Sequence, residues 1–170
     1  MKKLFLLTIF FTLLFTVSNA QVAAKSVYVE LGGAGLASVN FDMRLQQKED
    51  GLGFRVGIGG FSLRQDYGNG QNERNGILTV PLELNYLLGK DHRHYFEMGA
   101  GATIVSVSNN YNNNGNNTND QFSSTFGHLY FGYRLQPAEG GFLFRAGITP
   151  VFGKGYFIPY YAGISFGYKF

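Results

Sequence analysis

The amino-acid sequence predicts an all-β protein, an eight-stranded antiparallel up-and-down transmembrane β-barrel, and three observations lead to this fold class. Large apolar residues recur at every second position in eight separate runs. The strand charges lie almost entirely on the opposite parity, together with most strand glycines. The chain has 17 Phe, 11 Tyr and 24 Gly but only 15% charged residues, where about 25% is typical.

The alternating runs place the eight predicted strands. They lie at 26–34, 36–45, 52–61, 76–88, 94–105, 124–135, 141–151 and 159–170. In the last run, Tyr160, Ile164 and Phe166 share one face, whereas Ser165 and Lys169 lie on the other. Runs of this length, separated by turn-like clusters, are typical of transmembrane barrel strands.

The direction of the apolar face separates two classes of barrel. A soluble barrel would place the apolar side chains inside, but eight strands enclose room only for side chains or one small ligand. The apolar residues of this chain are too numerous for that space. We therefore expect them to face lipid, with the polar, glycine-rich face filling the lumen. An exported soluble barrel that binds an apolar ligand is the remaining alternative.

The beginning of the chain is typical of an exported protein. Two lysines precede the apolar run 4–17, and Ser18 and Ala20 are small residues that suit signal peptidase. The run is short for a membrane anchor, which needs about 20 apolar residues. We predict a signal peptide over 1–20, cleaved after Ala20, and one barrel domain over 21–170.

Composition excludes several classes of function. The chain contains no Cys, which excludes disulfides, thiolate metal sites and a lipidated cysteine. Cleavage would remove two of the 14 basic residues and leave 12 against 11 acidic residues. A nearly neutral mature chain gives no reason to expect a nucleic-acid partner.

The spacing of the runs predicts how the barrel lies in the membrane. If both ends of the barrel domain are periplasmic, the turns 46–51, 89–93 and 136–140 are periplasmic, and they are short. The longest connections, 62–75 and 106–123, are then extracellular loops. The second contains the Asn-rich stretch 109–120, which is predicted to be solvated. A periplasmic aromatic girdle is predicted at Tyr86, Tyr133 and Tyr168.

The inward set contains four acidic and five basic residues that could pair across the lumen. They are Glu30, Asp42, Arg44, Arg55, Glu83, Glu97, Arg134, Arg145 and Lys169. Because buried charges must be paired to be tolerated, we predict a charge network that fills the lumen. A path for ions along the same residues is the alternative interpretation.

The sequence as a whole resembles the porin-like, OmpA/OmpX/OmpW-type small barrels of Gram-negative outer membranes. The segments VPLELNYLLGK (80–90), HYFEMGAGATIV (94–105) and GISFGYKF (163–170) carry this resemblance. It implies a location in the cell outer membrane and contact with outer-membrane lipid. The closing residues Phe166, Tyr168 and Phe170 resemble the C-terminal signal that the barrel-assembly machinery recognises in those families.

The remaining motifs favour neither catalysis nor a cofactor. His92 and His94 lie beside a turn and His128 lies in a distant strand, so a metal site is not predicted. The glycines form no phosphate-binding motif ahead of a helix, and no Ser-His-Asp grouping is apparent. We expect a monomeric, non-enzymatic barrel with a structural or surface-interaction role through 62–75 and 106–123. A narrow porin-like channel is the alternative.

Overall fold

The structure is a computed structural model that describes residues 23–66, 71–113 and 116–170. The predicted signal peptide over 1–20 lies outside the described residues. Within the described ranges there is no helix with the length and apolar character needed to cross a membrane.

The described chain forms one closed antiparallel sheet, which confirms the predicted fold class. Its strands are β1 (Lys25–Gly32), β2 (Ala37–Arg44), β3 (Gly51–Asp66), β4 (Gln71–Leu88), β5 (His94–Asn113), β6 (Asn116–Leu135), β7 (Gly141–Ile148), β8 (Val151–Gly153), β9 (Tyr156–Ile158) and β10 (Ala162–Lys169). Consecutive strands pair from β1 to β7, and β10 pairs with both β7 and β1. The ring is therefore closed through the pairing of β1 with β10, which leaves no free edge between the first and last strands.

The ten strands correspond to eight barrel strands because the last two barrel strands are interrupted. Strand β6 pairs with β7 and then with β8, so β7 and β8 together form the seventh barrel strand. Strand β8 pairs with β9 while β7 pairs with β10, so β9 and β10 together form the eighth. Pro150, which has no N–H to donate, lies at the interruption between β7 and β8. Its carbonyl accepts a hydrogen bond from the Leu129 amide at 2.9 Å, which keeps the sixth and seventh barrel strands joined.

The two faces of the barrel wall have opposite chemistry. Apolar side chains on the outside remain half exposed, among them Val29, Ile58, Leu84 and Phe166, with Ile58 at 60%. The inside holds the buried charges, and Arg145 has no exposed surface. This inverted pattern is that of a barrel whose outside is covered by lipid.

The barrel has an inner end, where the turns are short, and an outer end, where the strands extend. At the inner end, the 89–93 turn is held by Asp91, whose carboxylate accepts hydrogen bonds from the amides of Arg93 at 3.1 Å and His94 at 2.8 Å. These bonds favour the carboxylate and lower the pKa of Asp91. The other inner turns lie at 45–50 and 136–140, close to their predicted positions.

The predicted outer loops 62–75 and 106–123 are wrong in extent, since most of their residues form strands. Strands β3 and β4 stay paired to Asp66 and Asn72, and β5 and β6 stay paired to Asn113 and Asn116. The pattern of apolar alternation ends where lipid ends, although the ladder of backbone hydrogen bonds continues. Polar residues pair as strands there because the backbone, not the side chain, makes the ladder.

The first outer connection turns into the lumen instead of away from it. Gly32 and Gly33 have φ values of 77° and 63°, which favour glycine, and the 3₁₀ turn Gly33–Gly35 that follows is buried. Thr79 donates to the Gly35 carbonyl at 2.7 Å, and Thr103 donates to the Ala34 carbonyl at 3.1 Å. The turn therefore covers the outer end of the lumen.

Leu82→Arg should destabilise the barrel if its outer wall faces lipid. Leu82 lies on the outward face in the middle of the wall and is 44% exposed. An arginine there should lower the free energy of unfolding by about 2–4 kcal/mol, against about 0–1 kcal/mol near an interface. The measurement is urea unfolding in phospholipid vesicles, followed by the shift in gel mobility between unheated and heated samples. Leu45→Arg at the inner end is the control, and equal losses in both variants would contradict the lipid-facing wall.

Candidate functional site

The lumen of the barrel gathers all the charged side chains that the sequence placed on its inward face. They are Glu30, Asp42, Arg44, Arg55, Glu83, Glu97, Arg134, Arg145 and Lys169, and none is more than 4% exposed. Their ion pairs divide into an inner cluster, a central cluster and a contact at the inner rim.

At the inner rim, Lys169 binds a residue that the sequence analysis did not assign to the network. Its ammonium group lies 2.7 Å from the Glu49 carboxylate and donates to the Ala138 carbonyl. Gln136 donates to the Glu49 carbonyl at 3.3 Å. These contacts draw the 45–50 and 136–140 turns together across the inner end of the lumen.

The inner cluster is centred on the Asp42 carboxylate. The guanidinium of Arg44 lies 2.7 Å from it, and that of Arg134, from the other side of the barrel, lies 2.9 Å from it. Asn85 donates to the same carboxylate at 2.5 Å and accepts from Arg44 at 2.5 Å. One carboxylate thus pairs with two arginines, which would leave net positive charge without a second acid.

The central cluster is centred on Arg145. Its Nε and Nη2 atoms donate to the two Glu97 oxygens at 2.8 and 2.9 Å, a bidentate contact. Nη1 donates to the Tyr28 hydroxyl at 2.8 Å and lies 3.3 Å from Glu30. The guanidinium also lies 4.7 Å from the centre of the Tyr28 ring and 4.5 Å from that of Tyr130, so it makes a cation–π contact with each.

The part of the central cluster nearest the outer end of the lumen links side chains from several strands. Arg55 lies 2.5 Å from Glu30 and 3.6 Å from Glu83, and it donates to Asn40 at 2.9 Å. Nε2 of His128 lies 3.3 Å from the Glu83 carboxylate. This part of the lumen is thus crossed by side chains from β1, β2, β3, β4 and β6, just inside the buried 3₁₀ turn.

The Glu97 carboxylate pairs with two arginines that lie side by side in the lumen. Arg134 and Arg145 are direct register partners on β6 and β7, a position where like charges repel. Glu97 lies 3.4 Å from Arg134 and 2.8 Å from Arg145. Glu97 therefore compensates the charge of both arginines at the point where they face each other.

Several lumen residues are missing from the predicted network although the sequence carried a signal for them. Tyr28, Asn40, Asn85 and Tyr130 have the same parity as the inward charges of their strands. The sequence analysis selected charges and so left out neutral partners. Glu49 carried no such signal, because it lies in a turn and not on a strand.

The three histidines lie in two separate places, and the predicted girdle tyrosines lie on the outward-facing surface of the barrel. Tyr86, Tyr133 and Tyr168 are exposed on the outer wall toward the inner end. The Tyr133 hydroxyl lies 2.5 Å from Nδ1 of His94. His128 is buried in the lumen, so the histidines do not come together.

Other aromatic side chains are exposed on the outer wall near the end of the chain. Phe166, Tyr168 and Phe170 are among them, and their role as an assembly signal stays a prediction. A further group, which the sequence analysis did not single out, lies on and beside the β8–β9 hairpin: Phe152, Tyr156, Phe157 and Tyr160.

The protruding outer sheet, which consists of the outer parts of β3 to β6, has two edges. Strand β2 begins at Ala37, so its pairing with β3 ends near Gly59, whereas β3 continues to Asp66. Strand β8 pairs with β6 only as far as Gly127, whereas β6 begins at Asn116. Among the described strand pairings, the 60–64 and 116–126 segments each have a neighbouring strand on one side only.

Comparison with known proteins identifies the fold. No protein-family model and no curated protein matches the chain. Ail, the attachment invasion locus protein of Yersinia pestis, solved with the heparin analogue sucrose octasulfate, aligns with a TM-score of 0.55 at 12% identity over 88% of this chain and 99% of Ail. A major outer membrane protein of Thermus thermophilus aligns with a TM-score of 0.52 at 16% identity over 88% of this chain and 99% of that protein.

These similarities and the inverted pattern of the wall define the class of protein. The chain is an eight-stranded transmembrane β-barrel with the fold of outer-membrane proteins. At such low identity the likeness concerns the fold, so the function must be inferred from the lumen and the protruding outer sheet of this chain.

Glu97→Ala should destabilise the barrel strongly. It removes the carboxylate that Arg134 and Arg145 share, and breaking a buried ion pair from one side costs about 3–5 kcal/mol. The exposed Glu139 provides the control, because Glu139→Ala should change the free energy of unfolding by no more than about 0.5 kcal/mol. Unfolding in phospholipid vesicles is the measurement. Adding Arg145→Leu to Glu97→Ala should recover part of the loss, and a further loss of similar size would contradict the assigned pairing.

Proposed function

We propose that the chain is an outer-membrane surface-interaction protein whose barrel anchors the protruding outer sheet. The observation that carries the proposal is the pair of one-sided strand edges at 60–64 and 116–126. A strand with unpaired backbone N–H and C=O groups is a template for an added strand from another chain. Such an edge binds an extended segment through the backbone, and the neighbouring side chains add specificity.

The side chains near the two edges support a binding role. Leu63 and Phe122 are 63% and 67% exposed. Both lie in the protruding outer sheet, beyond the alternating apolar residues that face lipid. Phe61, also beside the first edge, is 46% exposed. Exposed apolar residues beside an open strand edge provide the contact area that a partner needs. Ail, which has a similar fold, is an attachment protein, so a barrel of this type supports surface binding in at least one bacterium.

The proposal includes a closed lumen, in place of the narrow channel. The buried 3₁₀ turn Gly33–Gly35 covers the outer end, and the Lys169–Glu49 contact lies across the inner end. Between them, the Arg145 guanidinium is held between two tyrosine rings. An ion passing through would have to separate these pairs in a lumen that side chains fill.

We also propose how the protein reaches the outer membrane and how it lies there. The signal peptide over 1–20 exports the chain, and the barrel-assembly machinery inserts it after recognising Phe166, Tyr168 and Phe170. The tyrosines 86, 133 and 168 form the aromatic girdle at the periplasmic interface. In this proposal the barrel acts as a monomer, without a cofactor or a catalytic role.

Lysines at the two edges should abolish surface binding without harming the barrel. The Leu63→Lys, Phe122→Lys double variant places charges where an added strand would lie, which opposes strand addition. Cells that express it should adhere to a panel of immobilised proteins at least about tenfold less than cells with the parent chain, an effect of about 1.4 kcal/mol. Leu45→Lys at the inner end is the matched control. Adhesion that is equal in all three strains would overturn the surface-interaction proposal.

Conductance in planar bilayers tests the closed lumen. The parent barrel should show no stable open state, and Arg145→Glu should raise conductance, because the new carboxylate would face Glu97 and Glu30 and loosen the central cluster. A steady open conductance in the parent, with an ion preference that reverses in Arg145→Glu, would establish the channel alternative. The gel-mobility shift is recorded for both proteins to confirm that each has folded.

A further inference from the structure

A large groove lies on the outer wall of the barrel, beneath the protruding outer sheet. Its volume is about 720 Å³, within the range of about 300–1,000 Å³ that is usual for small-molecule sites. Its apolar part consists of outward side chains from the outer halves of β1 and β2 and the middle of β3 and β4: Val29, Leu31, Val39, Ile58 and Leu78. Each of these is at least half exposed, so the groove opens directly onto the lipid-facing wall.

The backbone of β3 and β4 shapes the groove. Gly60 has a φ of 138°, and a Cβ atom there would overlap the Ile77 carbonyl oxygen, so only glycine fits. Strands β3 and β4 therefore approach closely at the base of the protruding outer sheet. Gly76 is different, because a Cβ atom there would meet only the Ser108 carbonyl at 3.9 Å. Gly76 lines the groove, and the absence of its side chain leaves space open.

The groove changes in polarity along its length. Its far side, on β3, β5 and β6, is lined by the neutral polar residues Ser62, Ser106, Ser108 and Gln121. The one ionisable residue among those lining it is Glu30, whose carboxylate is paired with Arg55 at 2.5 Å in the lumen. The groove therefore has an apolar part that continues the lipid-facing wall and a neutral hydrogen-bonding part next to the protruding outer sheet.

We propose that this groove binds an acyl chain of an outer-leaflet membrane lipid. The chain lies against Leu31, Ile58 and Leu78, and the carbonyl or hydroxyl groups at its head end accept and donate hydrogen bonds at the serines and Gln121. Lipid is the occupant because the groove opens onto the surface that lipid already covers. Water in its apolar part would be unfavourable, since it would find too few hydrogen-bonding partners there. The lack of an unpaired charge suits the ester or amide region of a lipid better than a charged peptide.

Native mass spectrometry of the mature protein tests the site. The protein is folded into vesicles of phosphatidylethanolamine with lipid A, extracted in mild detergent and weighed. The parent should retain one lipid molecule. Gly76→Phe fills the groove where a side chain has room, and its lipid-bound fraction should fall at least about tenfold, or about 1.4 kcal/mol. Leu84→Phe, on the outward wall away from the groove, should retain the lipid as the parent does.

A second measurement covers the case in which Gly76→Phe folds poorly. Because the chain has no cysteine, Gly76→Cys provides a single attachment point for a fluorescent bimane label. Lipids brominated on the acyl chain should quench this label strongly, and aqueous iodide should quench it weakly. Strong iodide quenching, a parent barrel without retained lipid, or equal retention in Gly76→Phe would each overturn the proposal. A lipid-free dimer that Gly76→Phe dissociates would instead assign the groove to a second copy of the chain.

Discussion

The structure depends on one constraint, which is that a sheet in lipid must pair every backbone N–H and C=O with another strand. The pairing of β1 with β10 meets this requirement, and it fixes how narrow the lumen is. A narrow lumen cannot hold the large apolar side chains, so they face outward. The interior is then left to short residues, such as Gly53 and Gly99, and to the charged residues beside them. A Cβ atom on Gly53 would overlap the Arg44 guanidinium, which shows how little space remains.

Charges in so small a space require partners, and the lumen supplies them in almost equal numbers. Within the central cluster, Arg145 lies near three carboxylates, those of Glu30, Glu83 and Glu97, and between two tyrosine rings, so its buried charge is compensated. The network also joins opposite sides of the barrel, since Asp42 of β2 pairs with Arg134 of β6 at 2.9 Å. The network thus holds the barrel together across its diameter, in addition to the hydrogen bonds around its circumference.

The sequence predicted the fold class, the direction of each strand face and the inner turns, because lipid imposes alternation on every residue of the wall. It did not predict the length of β5 and β6, because their outer residues are polar and no physical pattern distinguishes a solvated strand from a solvated loop. In the lumen it predicted which charges lie inside. It could not predict that Lys169 pairs with Glu49 or that Glu97 serves both Arg134 and Arg145, since cross-lumen distances depend on the stagger of the closed sheet.

The continuity of β5 and β6 has a mechanical consequence. Each strand runs for 20 residues without interruption, from the inner end of the wall to the tip of the protruding outer sheet. A load applied at the tip, along the strand direction, acts in shear on the whole ladder at once and does not open it one bond at a time. Tension on the surface is therefore transmitted into the part of the sheet that lipid encloses, where each broken backbone bond costs the most. Strands of this length make a stiff tether, which a flexible loop at the same position would not provide.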